Sequence, residues 1–189
     1  MNELFDAALE VQQFFIRRDW RFCIIGGLAV VRWGEPQATQ DVDLSLWTGF
    51  GNEQGYVQQI LTELRGRIPD AAQFALQNRV LLVSASNGRP IDIGLAGIPF
   101  EDGMINRASP FTFAPGISLI TCSAEDLVVL KAFAGRPRDW NAIEGVLICQ
   151  AASLDWTYID EQLLPLCELK EDPDTPVRLE QLRQRLADS

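Results

Sequence analysis

Residues 40–47, QDVDLSLW, alternate Val42, Leu44 and Leu46 with Asp41, Asp43 and Ser45. A period of two puts the apolar set on one face of a strand and the polar set on the other. Whatever fold the chain adopts must therefore accommodate a half-buried strand that carries two carboxylates. Asp41 and Asp43 project in the same direction, about 7 Å apart along the strand. Two ionised carboxylates so placed repel each other and lose hydration unless a cation or water is shared between them. A divalent metal is the natural partner. Mg²⁺, which takes one or two carboxylates together with water and substrate phosphates, suits an Asp-x-Asp at a strand edge.

The rest of the chain alternates between helical and strand periods. Leu4, Phe5, Ala8, Val11 and Phe15 recur at helical spacing over residues 2–18,. RFCIIGG reads as a short strand ending in glycines, and LAVVRWG as a helical turn or two. NEQGYVQQILTELRGRI has helical period throughout. RVLLVSAS and GRPIDIGLAG read as two strands joined by an SNGR turn,. SPFTFAPG reads as a loop, and SLITCSAED as a strand leading into a helix capped by Ser123, with Asp126 three residues on,. That helix ends near Gly135, and three more helices follow, separated by ASLD and KEDPDTP,. The expected class is α/β (α+β), a small mixed sheet flanked by helices over residues 1–120, followed by a C-terminal helical subdomain over 121–189.

With 189 residues, 47% of them hydrophobic and 22% charged, the chain can bury a core,. A net charge of -10 opposes broad attraction to a polyanion and argues against a general nucleic-acid coat protein,. No apolar run reaches the roughly 20 residues that a transmembrane helix needs, and the acidic start lacks a signal-peptide n-region. Cys23, Cys122, Cys149 and Cys167 are widely spaced, mostly among apolar neighbours, and read as reduced packed thiols,. The expectation is a cytoplasmic protein without a membrane partner. The chain contains no histidine, which removes Ser-His and Cys-His nucleophiles and most transition-metal sites,. Its chemistry must come from carboxylates, Arg, Lys, hydroxyls or backbone amides.

Asp92, flanked by Ile91 and Ile93, is an isolated polar residue in another strand and a third candidate ligand,. If that strand neighbours the first, three aspartates converge. Gly26 and Gly27 end a strand and open a helix, where backbone N–H groups form an anion site and the missing side chains admit a phosphate. Each element also has an ordinary reading: a turn for Gly26-Gly27, a solvated strand end for Asp41 and Asp43, a turn or salt bridge for Asp92. Lys131, one of only two lysines, either snorkels at the surface or reaches a ligand,. Arg136, Arg138 and Asp139 read as ion pairs and a helix cap, and Arg89 as a substrate contact or an offset to the charge of Asp92. The five tryptophans read as core or interface residues, with Trp47 the one placed for nucleobase contact.

In their order, Gly26-Gly27, a short helix, Thr39-x-Asp41-Val42-Asp43-Leu44 and then Asp92 resemble the DNA-polymerase-β-like nucleotidyltransferase superfamily. Within it, GGLAVVRWGEPQATQDVDL is most similar to the small bacterial nucleotidyltransferases akin to the abortive-infection (AbiEii-like) toxins. The resemblance covers about residues 22–150. It implies transfer of a nucleoside monophosphate from an NTP, ATP or CTP, to an acceptor hydroxyl or phosphate, with release of pyrophosphate. Asp41 and Asp43 would bind two Mg²⁺ ions and Asp92 the ion that activates the attacking oxygen. Gly26, Gly27, Thr39 and Lys131 would bind the nucleotide, and the C-terminal helical part would close the cleft. Leu28 replaces the Ser of some wider relatives, and Gln37 stands where many of the AbiEii-like group carry a basic residue. The acceptor would be tRNA, protein or a small molecule, and a toxin or antitoxin the protein partner. The resemblance admits two alternatives, a catalytically degenerate antitoxin-like binding module and a small-molecule (antibiotic) nucleotidyltransferase.

Overall fold

The computed structural model describes residues 3–35, 38–150 and 153–187, and these fall into two compact units, Met1–Leu28 with Ala38–Cys122, and Ala29–Gln37 with Ser123–Ser189. The first unit is built from helix α1 (Glu3–Ile16), strand β1 (Phe22–Ile24), the start of α2 (Gly26–Trp33) and β2 (Val42–Trp47). It continues with α3 (Glu53–Leu61), β3 (Arg65–Gly66), α4 (Ala71–Asn78), β4 (Val80–Ser84), β5 (Pro90–Ala96), α5 (Pro99–Arg107), β6 (Ser109–Ala114) and β7 (Ile117–Thr121). The strands form one mixed sheet in the order β3-β4-β5-β2-β1-β7-β6.

Alternation in β2, β4 and β5 buries Val42, Leu44, Leu46, Leu81, Val83, Ile91 and Ile93 on one face of this sheet,. Leu4, Ala8, Val11, Phe14 and Phe15 of α1 belong to the same core. Each of these larger side chains contributes about 1.5–3 kcal/mol by leaving water. Gln12, buried in that helix face, is satisfied by β7: its amide nitrogen donates to the Ser118 carbonyl at 2.9 Å, and its oxygen accepts from the Ile120 N–H at 2.8 Å,.

Two stretches differ from their sequence reading. Residues 52–68 are not one helix. α3 stops at Leu61, and Arg65–Gly66 turn away to pair with Val83 and Ser84. Gly66 permits this because any Cβ there would lie 2.8 Å from the Ala71 side chain. SPFTFAPG is not a loop but largely strand β6, which forms a hairpin with β7 across a turn at Gly116 (φ +78°). Pro110 hid it, since proline is tolerated in a strand only where its missing N–H goes unused, and β6 lies at the sheet edge,. The β4–β5 hairpin forms where expected, closed by Gly88 at φ +83°.

The second unit contains the end of α2 together with α6 (Ala124–Ala134), α7 (Pro137–Gln150), α8 (Trp156–Leu169) and α9 (Asp174–Ala187). α6 packs against the other three around Leu127, Val128, Ile143, Val146, Ile159, Leu163 and Leu179. Nine helices and seven strands are thus present among the described residues. None of these helices is long and apolar enough to cross a membrane. The four cysteines form no disulfide; Cys23, Cys122 and Cys167 are buried and Cys149 is exposed.

Two buried carboxylates organise the helical unit. Asp126 accepts from the Ser123 hydroxyl and the Tyr158 hydroxyl, both at 2.8 Å, tying α8 to the start of α6. Asp139, fully buried, accepts from Lys131 Nζ at 3.1 Å and from Arg136 Nε at 2.6 Å, joining α6 to α7. It also accepts from the Arg136 backbone N–H, so it caps α7 one residue past Pro137 and Arg138,. Burial pushes its carboxyl up, but the hydrogen bonds from Arg136 and Lys131 outweigh this and hold it below the usual carboxylate range. A depressed folded pKa means that the stabilisation is present above the ordinary carboxylate pKa and is lost as pH falls through the folded value. Asp139→Ala should destabilise the protein by about 3 kcal/mol in denaturant melts at neutral pH. The gap between wild type and variant should close on acidification below the usual carboxylate range.

Candidate active site

The aspartates meet because of strand order and register. β2 and β5 are parallel neighbours, and Asp43 stands directly opposite Asp92. Asp41, two residues before Asp43 and just outside β2, completes the group. One carboxylate oxygen from each of Asp41, Asp43 and Asp92 lies within 4.8 Å of the others, and all three residues are partly exposed. Oxygens around one Mg²⁺ sit about 2.1 Å from the ion and so up to about 4.2 Å from one another, a spacing that small side-chain rotations reach. Three hard anionic oxygens are also the donor chemistry that this ion prefers. The residues therefore fit a magnesium site.

The glycines owe their identity to close packing beside these carboxylates. β1 ends at Ile24, whose neighbour Ile25 donates its N–H to the Asp43 carbonyl at 2.9 Å, and α2 begins at Gly26. Gly26 has φ +61°, and a Cβ built there would lie 2.0 Å from Asp43 Oδ2. A Cβ on Gly27 would lie 2.4 Å from Thr39 Oγ1. The space that two side chains would fill is thus occupied by Asp43 and Thr39. The Thr39 hydroxyl in turn donates to Asp41 Oδ1 at 3.1 Å. Gly26, Gly27, Thr39, Asp41 and Asp43 form one packed corner.

Arg67 is the residue that sequence reasoning missed. It follows β3, its N–H bonds to the Leu82 carbonyl at 3.0 Å, and its guanidinium donates to Asp92 Oδ1. Burial pushes the Asp92 carboxyl up, Arg67 opposes this, and Asp41 adds to it; the net shift is upward,. Arg89 was the basic residue expected beside Asp92, but it points elsewhere and pairs with Glu3 at 2.7 Å. The hairpin turn carries Arg89 toward α1, whereas β3 delivers Arg67 across the sheet.

Lys131 lies in the helical unit, engaged by Asp139. Trp47, four residues beyond Asp43, has its ring covered by the Arg21 guanidinium at 5.6 Å, and Arg21 is itself anchored by Asp102 at 2.5 Å,. It stands about 13 Å along the strand from Asp43, too far to share its surroundings. Gln37 lies outside the described residues.

Gly26→Ala should combine left-handed strain of about 1–2 kcal/mol with displacement of the Asp43 carboxylate. A thermal melt should register the strain, and weakened Mn²⁺ binding, followed by the paramagnetic signal of the free ion, should register the displacement.

No protein-family model matches the chain, and no curated protein sequence matches it. Among solved structures it is similar to an antigenic nucleotidyltransferase-like protein from Paracoccidioides brasiliensis, with a TM-score of 0.56 and 15% identity over 95% of this chain and 93% of that one. A lincosamide antibiotic adenylyltransferase with bound lincomycin gives a TM-score of 0.49 and 12% identity over 75% of this chain and 94% of that one. ANT(2″)-Ia in complex with adenylyl-2″-tobramycin gives 0.49 and 17% identity over 97% of both chains. On the first of these likenesses, the chain has the fold of a nucleotidyltransferase-like protein.

Proposed function

We propose that the protein is a Mg²⁺-dependent nucleotidyltransferase that moves a nucleoside monophosphate from ATP or CTP to an acceptor hydroxyl. The observation that carries this reading is the gathering of Asp41, Asp43 and Asp92 on one sheet face of a nucleotidyltransferase-like fold. Mg²⁺ held by these three residues would supply the Lewis acidity that acidifies the attacking hydroxyl and offsets charge on the entering and leaving oxygens. In the transfer, the acceptor oxygen bonds to the α-phosphorus, the bond from that phosphorus to the β-bridging oxygen breaks, and pyrophosphate leaves with the electron pair. The hydroxyl proton is released to water as the acceptor oxygen bonds to phosphorus. Gly26 and Gly27, at the start of α2, contribute a backbone surface for the triphosphate,. Thr39 orients Asp41.

The resemblance of residues 26–44 supports the finer assignment to the AbiEii-like, toxin–antitoxin type acting in the cytoplasm. A degenerate partner-binding module is the weaker reading, because a pocket released from catalysis has no use for three mutually repelling carboxylates.

Calorimetric titration with ATP, CTP, GTP and UTP, with and without Mg²⁺, should show metal-dependent binding by the wild type and none by Asp41→Ala/Asp43→Ala. Absence of binding by the wild type would overturn the assignment. Divalent-metal affinity should fall on acidification from a pH above the usual carboxylate range, since a raised pKa holds the Asp92 proton to higher pH. Arg67→Gln removes the charge that opposes protonation of Asp92 and should move that midpoint upward, as read by Mn²⁺ titration across pH.

A further inference from the structure

Beyond Asp92 lies a pocket edged by two guanidinium groups that the carboxylate cluster does not use. Leu82 pairs with Asp92, Ser84 with Pro90, and Arg65 with Ser84. By alternation, Arg65, Ser84, Leu82 and Asp92 therefore share a face. Arg67 reaches over Leu82, across two strand spacings or about 10 Å, to its bond with Asp92,. Arg65, Arg67, Ser84 and Glu63 line a cavity of about 600 Å³ at this edge. That is the size of a small-molecule site, for which about 300–1,000 Å³ is usual.

The charges in the cavity are unequal in their availability. Glu63 is held by Arg18 at 2.7 Å and faces Arg17 at 3.8 Å. The side chains of Arg65 and Ser84 make no hydrogen bond, and Arg65 no ion pair, among the described residues. An unengaged guanidinium, a second one bridging to Asp92 and a neutral hydroxyl form a donor set for phosphate or carboxylate. This concentration runs against a chain of net charge -10.

Strand order assigns this pocket to the acceptor rather than to the nucleotide. Gly26, Gly27 and Thr39 lie on the β1 side of Asp43, whereas Arg65 and Ser84 lie on the β4 side of Asp92. The carboxylates stand between the two. We propose that the pocket binds an anionic group of the acceptor, which is then a small hydroxyl compound bearing a phosphate or carboxylate. The proposal rests on the nucleotidyltransferase reading, which makes Asp92 the group that faces the acceptor hydroxyl.

The test is calorimetric titration of the full chain with glycerol phosphate, and with glycerol as the neutral control, in the absence of metal. The variants are Arg65→Gln, whose exposed side chain leaves the fold intact, and Asp41→Asn/Asp43→Asn. Saturable binding of glycerol phosphate but not glycerol is expected. It should weaken roughly ten-fold or more in Arg65→Gln, as loss of a charged donor implies, and persist in the double variant. Mg²⁺·ATP binding by Arg65→Gln should stay near wild type. No saturable binding, or equal binding by Arg65→Gln, would overturn the anion site. An equal loss of Mg²⁺·ATP binding in Arg65→Gln would place the pocket in the nucleotide site and overturn the acceptor assignment. Arg65-dependent glycerol phosphate binding by a wild type that binds no Mg²⁺·NTP would leave the anion site standing and remove its acceptor role, since it is the nucleotidyltransferase reading that has failed.

Discussion

The parallel pairing of β2 with β5 is the contact on which the rest of the first unit depends. Its register sets Asp43 opposite Asp92 and, on the other face, Val42 beside Ile91 and Leu44 beside Ile93. A slip of one residue would turn Ile91 and Ile93 into solvent and Asp92 into the core. The burial that fixes the register therefore also holds the carboxylates together. Their mutual repulsion is carried by a framework whose apolar face has no alternative arrangement.

Around that pairing the polar face is arranged by charge and by the absence of side chains. Gly26 and Gly27 leave room for Asp43 and Thr39 to lie against the backbone. On the far side Arg67 meets Asp92, so the three acids stand between a backbone corner rich in N–H groups and a cavity edged with guanidinium. A phosphoryl-transfer site has use for both flanks, because its substrates bring negative charge from more than one direction.

The helical unit uses carboxylates in the opposite sense. Asp126 and Asp139 are fully buried, and each accepts both from the residue that opens its own helix and from a neighbouring helix. Such groups specify which helices meet at the cost of desolvation. Asp41, Asp43 and Asp92 instead remain partly exposed and within reach of an ion. The same residue type is a joint in one unit and a candidate ligand set in the other, and exposure together with local donors decides which.

Much of this was legible in the residues themselves. Alternation marks β2, β4 and β5, helical spacing marks α1, and Asp41, Asp43 and Asp92 stand out as polar residues interrupting apolar strands. Ser123, Gly135 and Asp139 announce helix ends. These signals are local, because backbone periodicity and capping involve residues only a few positions apart. What the sequence left undetermined is long-range. β6 was masked by Pro110, whose tolerance depends on the strand being at the sheet edge. The break between α3 and β3 depends on a partner strand far along the chain. Arg67 shows no periodic or motif signal, and it displaced the sequence-adjacent Arg89 beside Asp92 only because β3 docks on β4. The sequence by itself determined the strongly periodic strands and helices and which of their faces carry charge. Only the tertiary structure decided which faces meet, because register and strand order are set by burial summed over the whole sheet and not by any one segment.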